Sequence, residues 1–308
     1  MQSPEYYKNE SQALKEKNPL QSWLALGRYY LMIREDVECI RTYAKAVDII
    51  LKKPNEDCYK AIEEEFEFLS KCQAEFPALC FQLRFYLQIA LFIIYEDENK
   101  EQIKKQLKSH RIKKDGFKQP VVIIAGGSSN MEQSVYTYQF EMRDLFPEFC
   151  GTFISGGTTA GIPGMVGELK QNFEDEQNRY KNNTQSYELI AYLPRQLPEN
   201  AIRSSAYDAF YESDSDCFSA LDILCCWCDL VCSGIKPSDV VVIGINGGNI
   251  ASMEYRIALS LGAKVGVIVD SGRAVTDIIT DGYWNTHSNL IEFTTVSDII
   301  KNLSLKKQ

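Results

Sequence analysis

Three glycine pairs in the second half of the chain carry the residue types best suited to chemistry. They are Ala125-Gly126-Gly127-Ser128-Ser129, Ser155-Gly156-Gly157-Thr158-Thr159-Ala160-Gly161 and Asn246-Gly247-Gly248-Asn249. Each follows directly on a β-branched run: PVVIIA at 120–125, GTFIS at 151–155 and DVVVIGI at 239–245. Glycine lets a backbone approach a ligand closely, and a helix starting behind such a turn offers unpaired amides to an anion. The hydroxyls of Ser128, Ser129, Thr158 and Thr159 either bond phosphate or ribose, or cap the helices that follow. One glycine pair is explained by turn sterics alone, whereas three at equivalent strand ends are the pattern of one shared crevice. The crevice is expected to take a phosphate-bearing nucleotide or nucleotide derivative.

Charged residues near these turns extend the candidate site. Glu254, in the helical run after Gly247 and Gly248, can accept hydrogen bonds from ribose hydroxyls or sit as a carboxylate near a helix N-terminus, where the macrodipole favours it. Arg273, just past the strand AKVGVIV at 263–269, is the preferred phosphate clamp, since guanidinium binds phosphate through two parallel hydrogen bonds. Arg195 and Arg203 are weaker candidates of the same kind. Neither G-x-G-x-x-G nor G-x-x-x-x-G-K-[ST] follows the first strand, which removes support for ordinary dehydrogenase and NTPase readings.

The elements that must position these turns follow from periodicity. Apolar runs at 120–125, 151–155, 187–193, 239–245, 263–269 and 290–293 alternate with helical patterns, which implies a mostly parallel, doubly wound α/β sheet of Rossmann-like type. Gly157 to Gly167 place Pro163 near a helix start, with Gly161, Gly164 and Gly167 leaving one side of that helix bare for close packing. Up to about His110 there is no strand-like alternation, and apolar residues recur at three- and four-residue steps, so this half is all-helical. The polar segment SHRIKKDGFKQ marks the change, giving a helical domain at 1–112 and an α/β domain at 113–308.

Composition bounds the partners. The formal net charge of −9 and the 24% of charged residues argue against a general nucleic-acid binder or an anionic-membrane binder, so any phosphate is held locally. Ten cysteines accompany an N-terminal sequence without a secretory pattern, so they read as free thiols of a cytoplasmic protein. Cys225, Cys226, Cys228 and Cys232 lie around one apolar helix and cannot all face one ion, so no metal site is expected. The two histidines, His110 and His287, stand by no serine or cysteine nucleophile motif. The apolar stretch 79–95 is interrupted by Gln82, Arg84 and Gln88 and reads as a buried helix rather than a membrane span. YESDSD at 211–216 reads as a solvated loop or a flap over the crevice.

Two resemblances add to this. Trp23, Leu26, Gly27, Tyr30, Cys39, Tyr43 and Ala46, with Pro54 beyond, resemble one tetratricopeptide repeat, with no second copy at the same register. IIAGGSSN at 123–130, FISGGTTAGIPGMVGE at 153–168 and IGINGGNIASMEYRIALSLGAKVGVIV at 243–269 resemble the SLOG superfamily over roughly 119–303. That superfamily includes LOG-type phosphoribohydrolases, DNA-processing Smf proteins and the nucleotide-sensing module of TRPM channels. The first two segments look most like the sensor branch, which implies an ADP-ribose-like ligand. The third is similar to the LOG motif P-G-G-x-G-T-x-x-E at Gly247, Gly248 and Glu254, but Asn246 replaces the proline and Ile250 and Ala251 replace glycine and threonine. The arginine that works beside the LOG glutamate has no counterpart in LDILCCWCDLV.

The expected function is therefore cytosolic sensing of a nucleotide-derived small molecule, with output through a protein partner or self-association of the helical domain. The alternative is a phosphoribohydrolase in which Glu254 is the catalytic residue.

Overall fold

Helix starts in the first half are written in short polar signals. Ser3 and Asn18 cap α1 (Pro4–Leu14) and α2 (Pro19–Met32), their side-chain oxygens accepting from the amides of Tyr6 and Gln21, with proline at the first helical position of each. Asn55 caps α4 (Glu56–Cys72) in the same way, after α3 (Asp36–Lys52). Next come α5 (Pro77–Ile94) and α6 (Glu98–Lys108). The computed structural model describes residues 2–96, 98–109, 116–127, 132–143, 149–180 and 187–302. The chain divides into two compact units, Met1–Arg111 with Ser260–Gly262, and Ile112–Leu259 with Ala263–Gln308.

In the helical unit, Gly27 on α2 lies against Tyr43 on α3. A β-carbon at Gly27 would stand 2.5 Å from the Tyr43 ring, so absence of a side chain lets the two helices close. Tyr43 Oη donates to Glu65 Oε1 (2.5 Å), and Arg28 Nη2 donates to Glu65 Oε2 (2.7 Å), so a fully buried carboxylate on α4 ties three helices together. α5 is, by length and composition, apolar enough to cross a membrane, with a mean hydropathy of 1.6 over 18 residues. Leu79, Leu83, Phe85, Tyr86, Ile89, Ala90 and Phe92, spread around its circumference, are buried in the protein.

The second unit is a seven-stranded, all-parallel sheet with helices on both faces, an α/β fold. Its strands are β1 (Val121–Gly126), β2 (Thr152–Ser155), β3 (Glu188–Pro194), β4 (Ala209–Ser213), β5 (Val240–Ile245), β6 (Lys264–Ile268) and β7 (Leu290–Phe293). Its helices are α7 (Glu132–Met142), α8 (Gly161–Tyr180), α9 (Ala220–Cys232), α10 (Asn249–Leu261), α11 (Ala274–Thr280) and α12 (Val296–Asn302). Val122, Ile124, Phe153 and Leu189 on one face pack with Ile162, Met165 and Val166 of α8 and Val296 and Ile299 of α12. The other face carries α10, whose Tyr255 ring fills the space left by Gly244.

Six strands lie where the apolar runs predict them, and β4 is the addition. Its sequence AFYES is only half buried and has no long apolar run, because it is an edge strand hydrogen-bonded on one side only. This corrects the loop reading of 211–216: Tyr211 to Ser213 belong to β4, and Asp214 just beyond pairs with Arg195.

The order β4-β3-β2-β1-β5-β6-β7 decides where a ligand can sit. The chain winds outward from β1 to β4, then returns to place β5 on the other side of β1 and winds outward the other way. Crossovers from β1 and β5 leave on diverging paths, which opens a crevice at the carboxyl ends of these two strands. Gly126 pairs with Ile245, so the glycine turns after β1 and β5 start at the same level.

Candidate functional site

A cavity of about 480 Å³ opens at that switch point. Gly126 and Gly127 reach it from the β1 turn, Gly156, Thr158 and Ala160 from the β2 turn, and Gly248 and Asn249 from the β5 turn. Glu254 on α10 and Arg273 at the start of α11 complete the set of sequence-predicted residues in its wall. Three of the candidates on the glycine turns stand outside the wall. Gly157 has φ +74° and a β-carbon added to it would meet Ala191 of β3, Gly247 has φ +101° and an added β-carbon would meet Ala251, and exposed Thr159 anchors the loop through its amide to the Ile202 carbonyl. Ser128 and Ser129 lie outside the described residues. Arg195 and Arg203 are engaged by Asp214 and Glu212 and do not line the cavity.

The β5 turn is held by the β6 turn. Asn246 sits at φ +55°, with its amide donating to Ser271 Oγ (2.8 Å), its Nδ2 donating to the Ser271 carbonyl (2.6 Å) and its Oδ1 accepting from Gly247 N (2.6 Å). Proline has neither this dihedral nor the amide, so this turn excludes proline at position 246. The Ala274 amide donates back to the Gly247 carbonyl (3.1 Å). Arg273, itself at φ +47°, thereby lies over Gly248, whose added β-carbon would be 3.3 Å from Arg273 Nη2. Buried Arg256 fixes the two helices behind these turns, its guanidinium reaching Asp277 (3.3 Å) and Asp281 (3.2 Å) of the α11 segment. The result at the rim is an exposed cation beside the first turn of α10, whose leading amides have no intrahelical acceptor.

The β2 turn is locked to β1 in the same manner. The Ile162 amide donates to the Gly127 carbonyl (2.9 Å), and Gly164 admits the Thr159 carbonyl at 2.2 Å from where a β-carbon would be. Pro163 sits in the first turn of α8 and lines the cavity, as the sequence predicts for a helix start.

The floor has a different character. Glu254 is the sixth residue of α10, so it is beyond the first turn and does not act as a dipole-stabilised residue there. Its carboxyl is pushed up to about 7, mainly by burial and then by the negative charge of Asp222. Asp222, on α9, also lines the cavity and is raised to about 6 by burial, against hydrogen bonds from Ser213 Oγ (2.5 Å) and the Ser219 amide (2.8 Å). Tyr192 and Phe218 supply aromatic walls, and the buried Cys226 thiol is pushed up by desolvation. Asp222, Tyr192 and Phe218 escaped sequence reasoning. Asp222 was legible only as half of a capping box, Ser219 with Asp222 three residues on.

Cys225, Cys226, Cys228 and Cys232 are all buried on α9, with Cys228 Sγ 3.9 Å from Cys232 Sγ. Among the described residues no three His, Cys, Asp or Glu side chains are grouped as ligands for a metal ion.

No protein-family model matches the sequence, and no curated protein matches it. Among solved structures the chain is similar to TM1055, a structural-genomics target, at 15% identity and a TM-score of 0.40, covering 60% of this chain and 99% of that one. It is also similar to the molybdenum cofactor carrier protein MCP from Chlamydomonas reinhardtii, at 12% identity and a TM-score of 0.41, covering 60% of this chain and 96% of that one.

Proposed function

We propose that the crevice between β1 and β5 binds a nucleotide-derived small molecule, ADP-ribose-like in its chemistry, and that the protein senses it, with output through the helical unit. The observation that carries this reading is the rim, where Arg273 lies over Gly248 beside the first turn of α10. A cation, a side-chain-free approach and outward-facing amides together meet the needs of a phosphate. The SLOG resemblance of the same three turns supports the ligand class. Occupancy becomes a signal when the ligand favours one conformation over another by differential binding.

The test is a thermal-shift screen with ADP-ribose, its cyclic forms, NAD and AMP. A ligand at about 100 times its Kd stabilises the folded protein by about 2.7 kcal/mol. The wild type is expected to respond to at least one of these compounds, and no response to any of them overturns the reading.

One observation favours a second reading, hydrolysis of an N-glycosidic bond. A carboxyl held at about 7 inside a cavity exchanges protons readily at neutral pH, as a general acid or base must. Release of free base from AMP or a related nucleotide, lost in Glu254→Gln, establishes this reading. Ligand binding without turnover leaves the sensor.

A further inference from the structure

The geometry points to a ligand of split charge: a phosphate at the rim of the crevice and a positively charged base on its floor. This inference deepens the proposed function and rests on it. Among the described residues that line the cavity, Arg273 is the one cation and stands at the rim, while Asp222 and Glu254 are the two acids. Ile250 and Glu254 are one helical turn apart on the same face of α10, and both line the cavity. From Gly248 to Glu254 the helix rises about 9 Å. That span separates a phosphate bound at the rim from a group on the floor by about the length of a nucleoside monophosphate.

Floor chemistry suits a cation. Among the described residues no protein hydrogen bond to the Glu254 carboxyl is found, whereas both Asp222 oxygens are already engaged by Ser213 and Ser219. Two acids in one largely apolar pocket oppose each other's ionisation, and a cation placed between them relieves that opposition. Tyr192 and Phe218 border the same cavity, and aromatic rings attract a cation, delocalised ring cations among them. A neutral base would gain neither effect. The ligand class is therefore a nucleotide whose base carries a fixed positive charge, of which a pyridinium ribotide is the simplest example.

The experiment is isothermal titration of the full chain with nicotinamide mononucleotide and with its 1,4-dihydro form. The two share phosphate and ribose and differ in the charge of the ring. The oxidised form is expected to bind at least about fivefold tighter, about 1 kcal/mol. Glu254→Gln, which keeps the side chain's shape, should lower that ratio, and Arg273→Ala should weaken both compounds by a similar factor. A smaller preference in the wild type, or an unchanged ratio in folded Glu254→Gln, overturns the inference. If ADP-ribose binds and neither mononucleotide does, the split-charge assignment falls and the phosphate site stands. If no compound binds, both fall.

Discussion

Asn246 and Ser271 are joined twice, by the Asn246 amide to Ser271 Oγ at 2.8 Å and by Asn246 Nδ2 to the Ser271 carbonyl at 2.6 Å. This pair makes the turns after β5 and β6 one unit, and the backbone of Arg273 follows two residues after Ser271. Asn246→Ala removes the side-chain bonds and leaves an ordinary residue at φ +55°. The expected loss is about 2 kcal/mol, from left-handed strain together with lost hydrogen bonds. Asn246→Gly, which relieves the strain, should lose less. Urea denaturation of the two variants checks the order, and equal losses would show that the dihedral is not the constraint.

Gly248→Asp should leave the fold intact and abolish ligand-induced stabilisation. Gly248 has space for a β-carbon apart from Arg273 Nη2 at 3.3 Å, so the new carboxylate meets the guanidinium that is to receive phosphate. The check is the thermal shift with ADP-ribose alongside the circular dichroism of the free protein. A retained shift would place the phosphate elsewhere.

Arg256→Met is expected to destabilise the α/β unit by about 2 to 3 kcal/mol. Breaking a fully buried pair costs roughly 3 to 5 kcal/mol, and the figure is discounted because Asp277 and Asp281 are 40% and 19% exposed and regain water. The variant should also weaken ligand binding, since Arg256 ties the helix that begins after Arg273 to α10. Stability and ADP-ribose affinity, measured on the same preparation, test both parts.

Stability should fall with rising pH because of the floor acids. Among the described residues, the titratable groups in electrostatic reach of Glu254 are Asp222 and Cys226 on α9 and Tyr255 on its own helix. Both carboxyls bind protons more tightly in the folded state, Glu254 at about 7 against 4.5 and Asp222 at about 6 against 3.8. Their contribution is complete below the unfolded values and is lost as pH climbs through the folded ones. Glu254→Gln should therefore gain on the wild type by about 3 kcal/mol near pH 8, with the difference closing towards pH 4.5. Denaturation midpoints of the two proteins across that range decide it, and a constant gap would mean that Glu254 titrates normally.

How much was legible depended on whether the signal was local. The apolar runs before Gly126, Gly156 and Gly247 fixed strands buried on both faces, and the glycine pairs marked the ends where a backbone must come close. β4 gave no such signal, since an edge strand needs no continuous apolar run. Arg273 was found because it lies just past a strand end, and Glu254 because its spacing from Gly247 and Gly248 matches a known glutamate motif. Tyr192, Phe218 and Asp222 were not, because nothing in a strand interior or a capping box says which cavity it borders.

The sequence by itself determined the α/β class, the helical half and the glycine turns that border the cavity, because strand periodicity and glycine sterics act over neighbouring residues. Only the tertiary structure decided that β5 returns beside β1, that Gly157 and Gly247 serve packing and turn geometry while Gly127, Gly156 and Gly248 face the cavity, and that two acids share its floor. Those outcomes depend on which strands become neighbours, and on the burial that follows when groups far apart in the chain are enclosed in one low-dielectric hollow.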